Sequence, residues 1–260
     1  RPIVPCFTRS ASAANIAGQC GQWVEISSRA SGVGMAIGRM VAWQDNGCME
    51  FTILPVTPYQ QNCSLVWDTD GRAALIDPGG EAQRLLEEIA ARGLNLEKVL
   101  LTHGHLDHVG AAVELRDALG IPIVGPQHEE QFWLDILPQQ AELFGFPPMQ
   151  AFTPDQWLAD GDRVDVGSIR FDVLHCPGHT PGHVVFYQAD ARLAFVGDVL
   201  FKGSIGRTDF PRGDHAALLA AIRDKLFPLG DDVRFVPGHG AMSTFGHERR
   251  DNPFVGMAAH

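Results

Sequence analysis

The sequence lacks any run approaching the roughly 20 uninterrupted apolar residues that a bilayer-spanning helix requires. Its longest apolar stretches are short and broken by Gly, Arg or Asp, so no membrane span and no membrane partner are expected. Basic residues are also in short supply: 20 Lys and Arg stand against 31 Asp and Glu, a formal net charge of −11. Nucleic acid demands basic patches. A nucleic-acid partner is therefore excluded, and an anionic substrate would need a local cationic site such as bound metal ions. Cysteine is scarce as well. The five present (Cys6, Cys20, Cys48, Cys63 and Cys176) are odd in number and show no C-x-x-C spacing. That argues against a disulfide framework and for a reducing, cytoplasmic setting.

What remains is an ordinary globular composition, and 260 residues suffice to bury one substantial core. The chain changes character near Met49. Residues 1–48 have weak periodicity and little acid, Glu25 and Asp45 being their only carboxylates. With Arg1, Arg9, Arg29 and Arg39 they have the look of an organellar transit segment. An expression-derived leader or translated upstream sequence is the plainer reading, and no function is assigned to the segment. The division expected is an N-terminal extension at 1–48 and one patterned domain at 49–260.

From Met49 onward, short strands are predicted at 51–56, 63–67 and 73–76, followed by a turn at Asp77-Pro-Gly-Gly80. Glu81 to Arg92 follows helical spacing, with Leu85, Leu86 and Ile89 on one face. A buried strand at 98–101, a helix from Gly110 to Leu119 and a strand at 121–124 come next. Residues 125–160 are less regular and rich in aromatics (Phe132, Trp133, Phe144, Phe146, Phe152 and Trp157), read as core or lid packing. Strands at 163–166, 169–175, 183–187 and 193–197, a helix from Asp214 to Leu226 and a strand at 233–236 complete an α/β chain in which helices cover sheet faces.

The central motif is Thr102-His103-Gly104-His105-Leu106-Asp107-His108, directly after an apolar strand. Packing alone does not call for three imidazoles and a carboxylate on one tight loop. Alternate residues of an extended stretch point to opposite sides. The loop must therefore curl if His103 and His105 are to face one metal while Asp107 and His108 face another. Gly104 and Gly110 ease that path. Three further potential ligands each follow a predicted strand: Cys176-Pro-Gly-His179, Gly197-Asp198 and Pro237-Gly-His239-Gly240. Loops at one sheet edge commonly build catalytic sites in α/β proteins. Five imidazoles and two carboxylates suffice for two ions with positions left for water.

This motif set resembles the metallo-β-lactamase superfamily, whose H-x-H-x-D-H signature stands here as His103 to His108, with later ligand positions at His179, Asp198 and His239. The resemblance runs from Met49 nearly to the C-terminus. It implies an αββα sandwich with the metal site at one edge between two sheets. It also implies that His103, His105 and His179 hold one metal, that Asp107, His108 and His239 hold the other, and that Asp198 bridges them. Two Zn2+ per chain are expected, and the all-N/O ligand set is compatible with Fe or Mn.

An aspartate at 198, where the drug-resistance β-lactamases carry Cys or Ser, looks like the glyoxalase II branch. Cys176 to His183, Gly206-Arg-Thr-Asp-Phe-Pro211 and the stretch from Phe245-Gly to Asn252-Pro-Phe254 are similar to short bacterial glyoxalase II-like hydrolases. The stretch after His239 is too short for the C-terminal helical domain that supplies much of the glutathione surface in full-length glyoxalase II. Thioester hydrolysis is thus a firmer expectation than glutathione specificity.

The reaction expected is hydrolysis of a small anionic thioester such as S-lactoylglutathione. A metal-bridging hydroxide, available because coordination lowers the pKa of water to about 7, would attack the carbonyl. Asp107 and Asp198 would be catalytic, Asp107 orienting the hydroxide. A thiol of pKa about 8.5 leaves without a dedicated acid. Lys202, Arg207 and Arg212 are candidate contacts for a substrate carboxylate, although an ion pair with Asp209 is the readier role for Arg207. Asp77 is a candidate support of the metal loop, with turn formation beside Pro78 an equal explanation. His183 reads as structural and Cys176 as a buried thiol, while His128, His175, His215, His247 and His260 receive no role. Rival readings are a mononuclear iron persulfide dioxygenase, a β-lactamase or lactonase, and a non-catalytic binding protein on the same fold. Pro237-Gly-His-Gly240 fits the hydrolase branch better than the dioxygenase, and a binding protein would be expected to have lost ligands.

Overall fold

Extended segments rich in β-branched and aromatic residues build two sheets, and the computed structural model describes residues 24–28, 37–42 and 49–257 of the chain. The first sheet runs in chain order: β1 (Val24–Ser28), β2 (Ile37–Ala42), β3 (Met49–Val56), β4 (Gln61–Trp67), β5 (Arg72–Ile76), β6 (Asn95–Leu100) and β7 (Ile123–Val124). Strands β1 to β5 pair antiparallel, while β5, β6 and β7 are parallel. The parallel pairs need crossovers. α1 (Ala82–Arg92) supplies one, and α2 (Leu106–Val109) with α3 (Ala112–Leu119) supplies the other. The second sheet has the order β15-β14-β11-β10-β9-β8. Its strands are β8 (Arg163–Val166), β9 (Ile169–His175), β10 (Val184–Gln188), β11 (Leu193–Gly197), β14 (Arg234–Pro237) and β15 (Ser243–Thr244). A hairpin of β12 (Leu200–Phe201) and β13 (Ser204–Ile205) stands beside it.

Side-chain alternation along these strands creates the layers. Phe51, Val66, Ile76 and Leu100 of the first sheet meet Phe171, Phe186 and Phe195 of the second, with Phe51 edge-on to Phe195 at 5.8 Å. The opposite face of the first sheet, with Leu65, Leu75 and Val99, packs on Leu85, Ile89 and Leu115 of α1 and α3. The outer face of the second sheet packs under α6 (His215–Ala221) and α7 (Phe245–Asp251), where Phe235 stacks on Phe245 at 5.4 Å. With both faces covered, every residue of β4 and β10 is buried, as such double coverage demands. The result is the expected α/β architecture, an αββα sandwich.

Several elements differ from the sequence expectation. Leu106–Val109 forms a helical turn inside the histidine motif, ahead of the helix expected from Gly110. The irregular stretch contains α4 (Gln131–Asp135) and α5 (Leu137–Phe144), the latter starting with Pro138 in a first-turn position that tolerates proline. The helix expected to run to Leu226 is α-helical only to Ala221 and continues as a π-type turn. Strands β1 and β2 extend the sheet from the N-terminal segment, where no periodicity announced them. The rest of that segment, with Arg1, Arg9, Arg29, Cys6, Cys20 and Cys48 and the leader or transit readings attached to it, lies outside the described residues, as does His260. No helix among the described residues is long and apolar enough to cross a membrane. Cys63 and Cys176 are buried and unpaired.

Candidate metal centre

The seven side chains singled out in the sequence converge at one edge of the sandwich. His103 and His105 follow β6, the turn of α2 carries Asp107 and His108, and His179, Asp198 and His239 follow β9, β11 and β14. Strands of both sheets thus end at the same place. His105 Nδ1 lies 3.1 Å from His103 Nε2 and 3.0 Å from His179 Nε2. Beside this triad, His239 Nε2 lies 3.2 Å from Asp107 Oδ2, and His108 Nε2 lies 3.9 Å from the same oxygen. Asp198 stands between the two groups: Oδ2 is 3.6 Å from His179 Nε2 and 3.8 Å from His239 Nε2, while Oδ1 is 3.4 Å from His108 Nε2.

The outward nitrogens show how these rings are oriented. His179 Nδ1–H donates to Arg207 O at 2.8 Å, and His239 Nδ1–H donates to Tyr59 O at 3.1 Å. His108 Nδ1–H donates to Asp77 Oδ2 at 2.9 Å. Thr102 Oγ1 donates to Asp77 Oδ2 at 2.6 Å, so it accepts from His103 Nδ1 at 3.0 Å. An imidazole that donates through Nδ1 presents a lone pair at Nε2 when neutral, and metal-bound histidines are fixed in this way.

Charge follows the same division. Burial, reinforced by the neighbouring imidazoles, pushes His103 and His105 well below the usual histidine range, and burial lowers His179 as well. Burial opposes a charge on His108, but Asp198, Asp107 and Asp77 overcome it and raise its pKa. His239 is raised against burial by Asp107 and Asp198. Burial would also raise Asp198, yet the imidazoles of His108, His179 and His239 hold it well below the ordinary carboxylate range.

The donor set fits a pair of divalent cations. Three neutral imidazole nitrogens point at one locus, and two imidazoles with a carboxylate point at another. Both are N/O sets that such ions accept. His105 Nε2, His108 Nε2 and Asp198 Oδ1 are buried with no hydrogen-bond partner, although buried polar atoms are nearly always paired. A polar ligand at the centre would supply partners to the latter two.

Asp77 is both turn residue and support. It adopts a left-handed backbone, φ 53°, and its carboxylate accepts from Thr102 N at 2.7 Å while holding His108. The turn it opens packs under the motif so closely that a Cβ on Gly79 would sit 1.6 Å from Asp107 O. Three supports were not singled out for these roles in the sequence. Glu130, fully buried, accepts from Gly104 N and Gly182 N at 2.8 Å each, tying the first histidine loop to the loop after His179. His183 stacks on His103 at 4.6 Å and accepts from Asp198 N at 3.1 Å. Asn62 donates to Pro237 O and Gly240 O, clamping the loop of His239. A lone Glu or Asn carries no spacing signal, and the structural role read for His183 in the sequence gains its partners, His103 and Asp198, only from the fold.

The cluster opens into a cavity of about 790 Å³. Lys202 and Arg207 line it with His105, Asp107, His179, Asp198 and His239, but Arg212 does not. Arg207 is held by Asp209 through two contacts of 2.9 and 2.7 Å. The Arg212 guanidinium stacks over Phe132 at 4.4 Å and lines a separate depression.

Residues 56–239 match the family model for the metallo-beta-lactamase superfamily. The chain is 51% identical over 208 residues to hydroxyacylglutathione hydrolase GloC of Haemophilus influenzae, an alignment covering 80% of this chain and 98% of that protein. Among solved structures it is similar to the BLEG-1 B3 metallo-beta-lactamase (TM-score 0.74, 38% identity, 79% of this chain and 99% of that one). It is also similar to TTHA1623 in a di-iron-bound form (TM-score 0.72, 39% identity, 78% of this chain and 98% of that one).

Proposed function

The chain belongs to the metallo-β-lactamase superfamily and is a metal-dependent hydrolase; from that premise we propose that it hydrolyses thioesters of the hydroxyacylglutathione type at a two-metal centre. The reading places the activity in residues 49–260 and assigns none to 1–48. His103, His105 and His179 would hold one cation, Asp107, His108 and His239 the other, and the Asp198 carboxylate both. Zinc is the metal first expected from this ligand set, and the di-iron state of a relative with 39% identity keeps iron beside it. Bound there, such cations supply hydroxide at neutral pH and polarise a carbonyl oxygen.

The chain's own residues do the rest. Asp107 lines the cavity and accepts a hydrogen bond from the attacking water through a carboxylate oxygen. Trp133 and Phe210, edge-on to His105 at 4.6 and 4.9 Å, exclude bulk water from one side of the centre. Lys202 meets an anionic group of the substrate. The departing thiolate needs no proton from the protein, since a thiol of pKa about 8.5 leaves readily.

The position of Asp198 carries the reading, because one carboxylate oxygen stands within 3.8 Å of nitrogens from both ligand groups. The test is hydrolysis of S-lactoylglutathione by protein loaded with zinc or iron(II), with Asp198→Ala beside it. Turnover reduced at least 100-fold in the variant is expected. Unchanged turnover in that variant, nitrocefin as the better substrate, or oxygen uptake with glutathione persulfide at one iron per chain would overturn the reading.

A further inference from the structure

The walls of the active-site cavity carry a preference that the metal centre alone does not explain. Trp133 and Phe210 flank His105, and from Trp133 an apolar surface continues along α4 and α5 through Ile136, Leu143 and Phe144 to the mouth. Leu143 is 77% exposed and Phe144 46% exposed. With Tyr59 they make three of the six large hydrophobic side chains exposed among the described residues, and all three line this one cavity. Apolar side chains scattered singly on a surface need no explanation, but a group at the mouth of a cavity marks a ligand surface.

Two polar groups in the same walls are committed elsewhere. Gln140 spends its amide on Leu106 N and Trp133 O. Arg207 is neutralised by Asp209 and lies over Phe210 at 4.4 Å. Lys202 is the lining cation that makes no ion pair within 4 Å among the described residues. A glutathione moiety bears two carboxylates and an ammonium group, and among the cations of this lining only Lys202 is free of an ion pair among the described residues. A lactoyl group has three carbons, and a cavity of about 790 Å³ has room for a much larger acyl group.

Resting on the thioester-hydrolase reading, we propose that the preferred substrates carry an apolar medium-chain or aryl acyl group. That group lies along the Trp133, Ile136, Leu143 and Phe144 wall, and Lys202 meets a single anion of the carrier thiol. Burial of each added methylene against this wall favours binding, so affinity rises with chain length.

The test measures binding of two unhydrolysable thioethers, S-methylglutathione and S-octylglutathione, to metal-loaded protein by calorimetry. The octyl compound is expected to bind at least tenfold more tightly. Leu143→Asp is expected to remove at least fivefold of that affinity. Leu119→Asp, at an exposed apolar residue of α3 outside the cavity, is expected to remove none. Equal affinity for the two thioethers, or equal losses in both variants, would overturn the proposal. In a companion series of acetyl-, butyryl- and octanoylglutathione, kcat/KM is expected to rise at least tenfold, and a flat or falling series would overturn it. Tight octyl binding without turnover of any thioester would remove the hydrolase reading while supporting the apolar site.

Discussion

Asp77 Oδ2 lies 2.9 Å from His108 Nδ1, and both side chains are buried. The same carboxylate accepts from the backbone and hydroxyl of Thr102, so one residue fixes the start of the histidine loop and a ring further along it. Replacing Asp77 with Ala leaves the His108 ring free to turn and the Thr102 N–H unpaired. Outer partners of this kind are worth about 10- to 100-fold in metal affinity. Competition with a chelator should show a loss of that size, and unchanged affinity would mean that Asp77 serves only its turn.

His183 stacks behind His103 and holds the Asp198 backbone without lining the cavity. His183→Phe preserves a flat ring beside His103 but cannot accept from Asp198 N, now 3.1 Å from His183 Nε2. A buried N–H left without an acceptor costs about 1–3 kcal/mol. Urea unfolding should register a loss of that order, and metal content should fall with it. Wild-type metal content in the variant would show that the Asp198 loop holds itself.

The motif residues were legible before the fold because their spacing has no structural alternative. His103 to His108 crowd one loop, and His179, Asp198 and His239 each follow an apolar strand at a Gly- or Pro-shaped turn. Layering was legible too, since Leu85 and Ile89 follow helical spacing and the strands are dense in Val, Ile and Phe. What escaped was whatever depends on distant pairing. Glu130 becomes a support only when Gly104 and Gly182, from loops far apart in sequence, meet it. Helices α4 and α5 escaped because both are short and divide their apolar residues between the core, reached by Leu134 and Leu137, and the cavity, lined by Trp133, Ile136, Leu143 and Phe144, which blurs the period. Arg212 was grouped with Lys202 by proximity in sequence, but the backbone turn at its left-handed φ of 64° accompanies a side chain directed elsewhere.

Glu130 gives the stability of this protein a pH dependence with a definite sign. Burial pushes its carboxyl from the ordinary 4.5 up to about 7, against the donors Gly104 N and Gly182 N. The folded state therefore holds the proton more tightly than the unfolded chain. The stabilisation is complete below about pH 4.5 and is lost as pH rises through about 7, roughly 3 kcal/mol in all. Urea unfolding at pH 5 and pH 8 should show that Glu130→Gln lowers stability at both pH values but loses less between them than wild type. Identical slopes would contradict the assignment.

Cys176 sits fully buried behind the His179 turn, where burial pushes its thiol up to about 12, and burial raises Cys63 as well. The thiolate is the reactive form. Peptide mapping after iodoacetamide treatment at pH 8 should find both residues unmodified in the folded protein and modified after unfolding. Rapid modification in the native state would contradict their placement in the core.

The account depends on seven side chains forming two adjoining cation sites that share Asp198. Anomalous diffraction from crystals of metal-loaded protein tests this most directly. The account predicts two peaks, one bonded to His103, His105 and His179, the other to Asp107, His108 and His239, with Asp198 touching both. A single peak on one triad, or metal bound away from these residues, would contradict it.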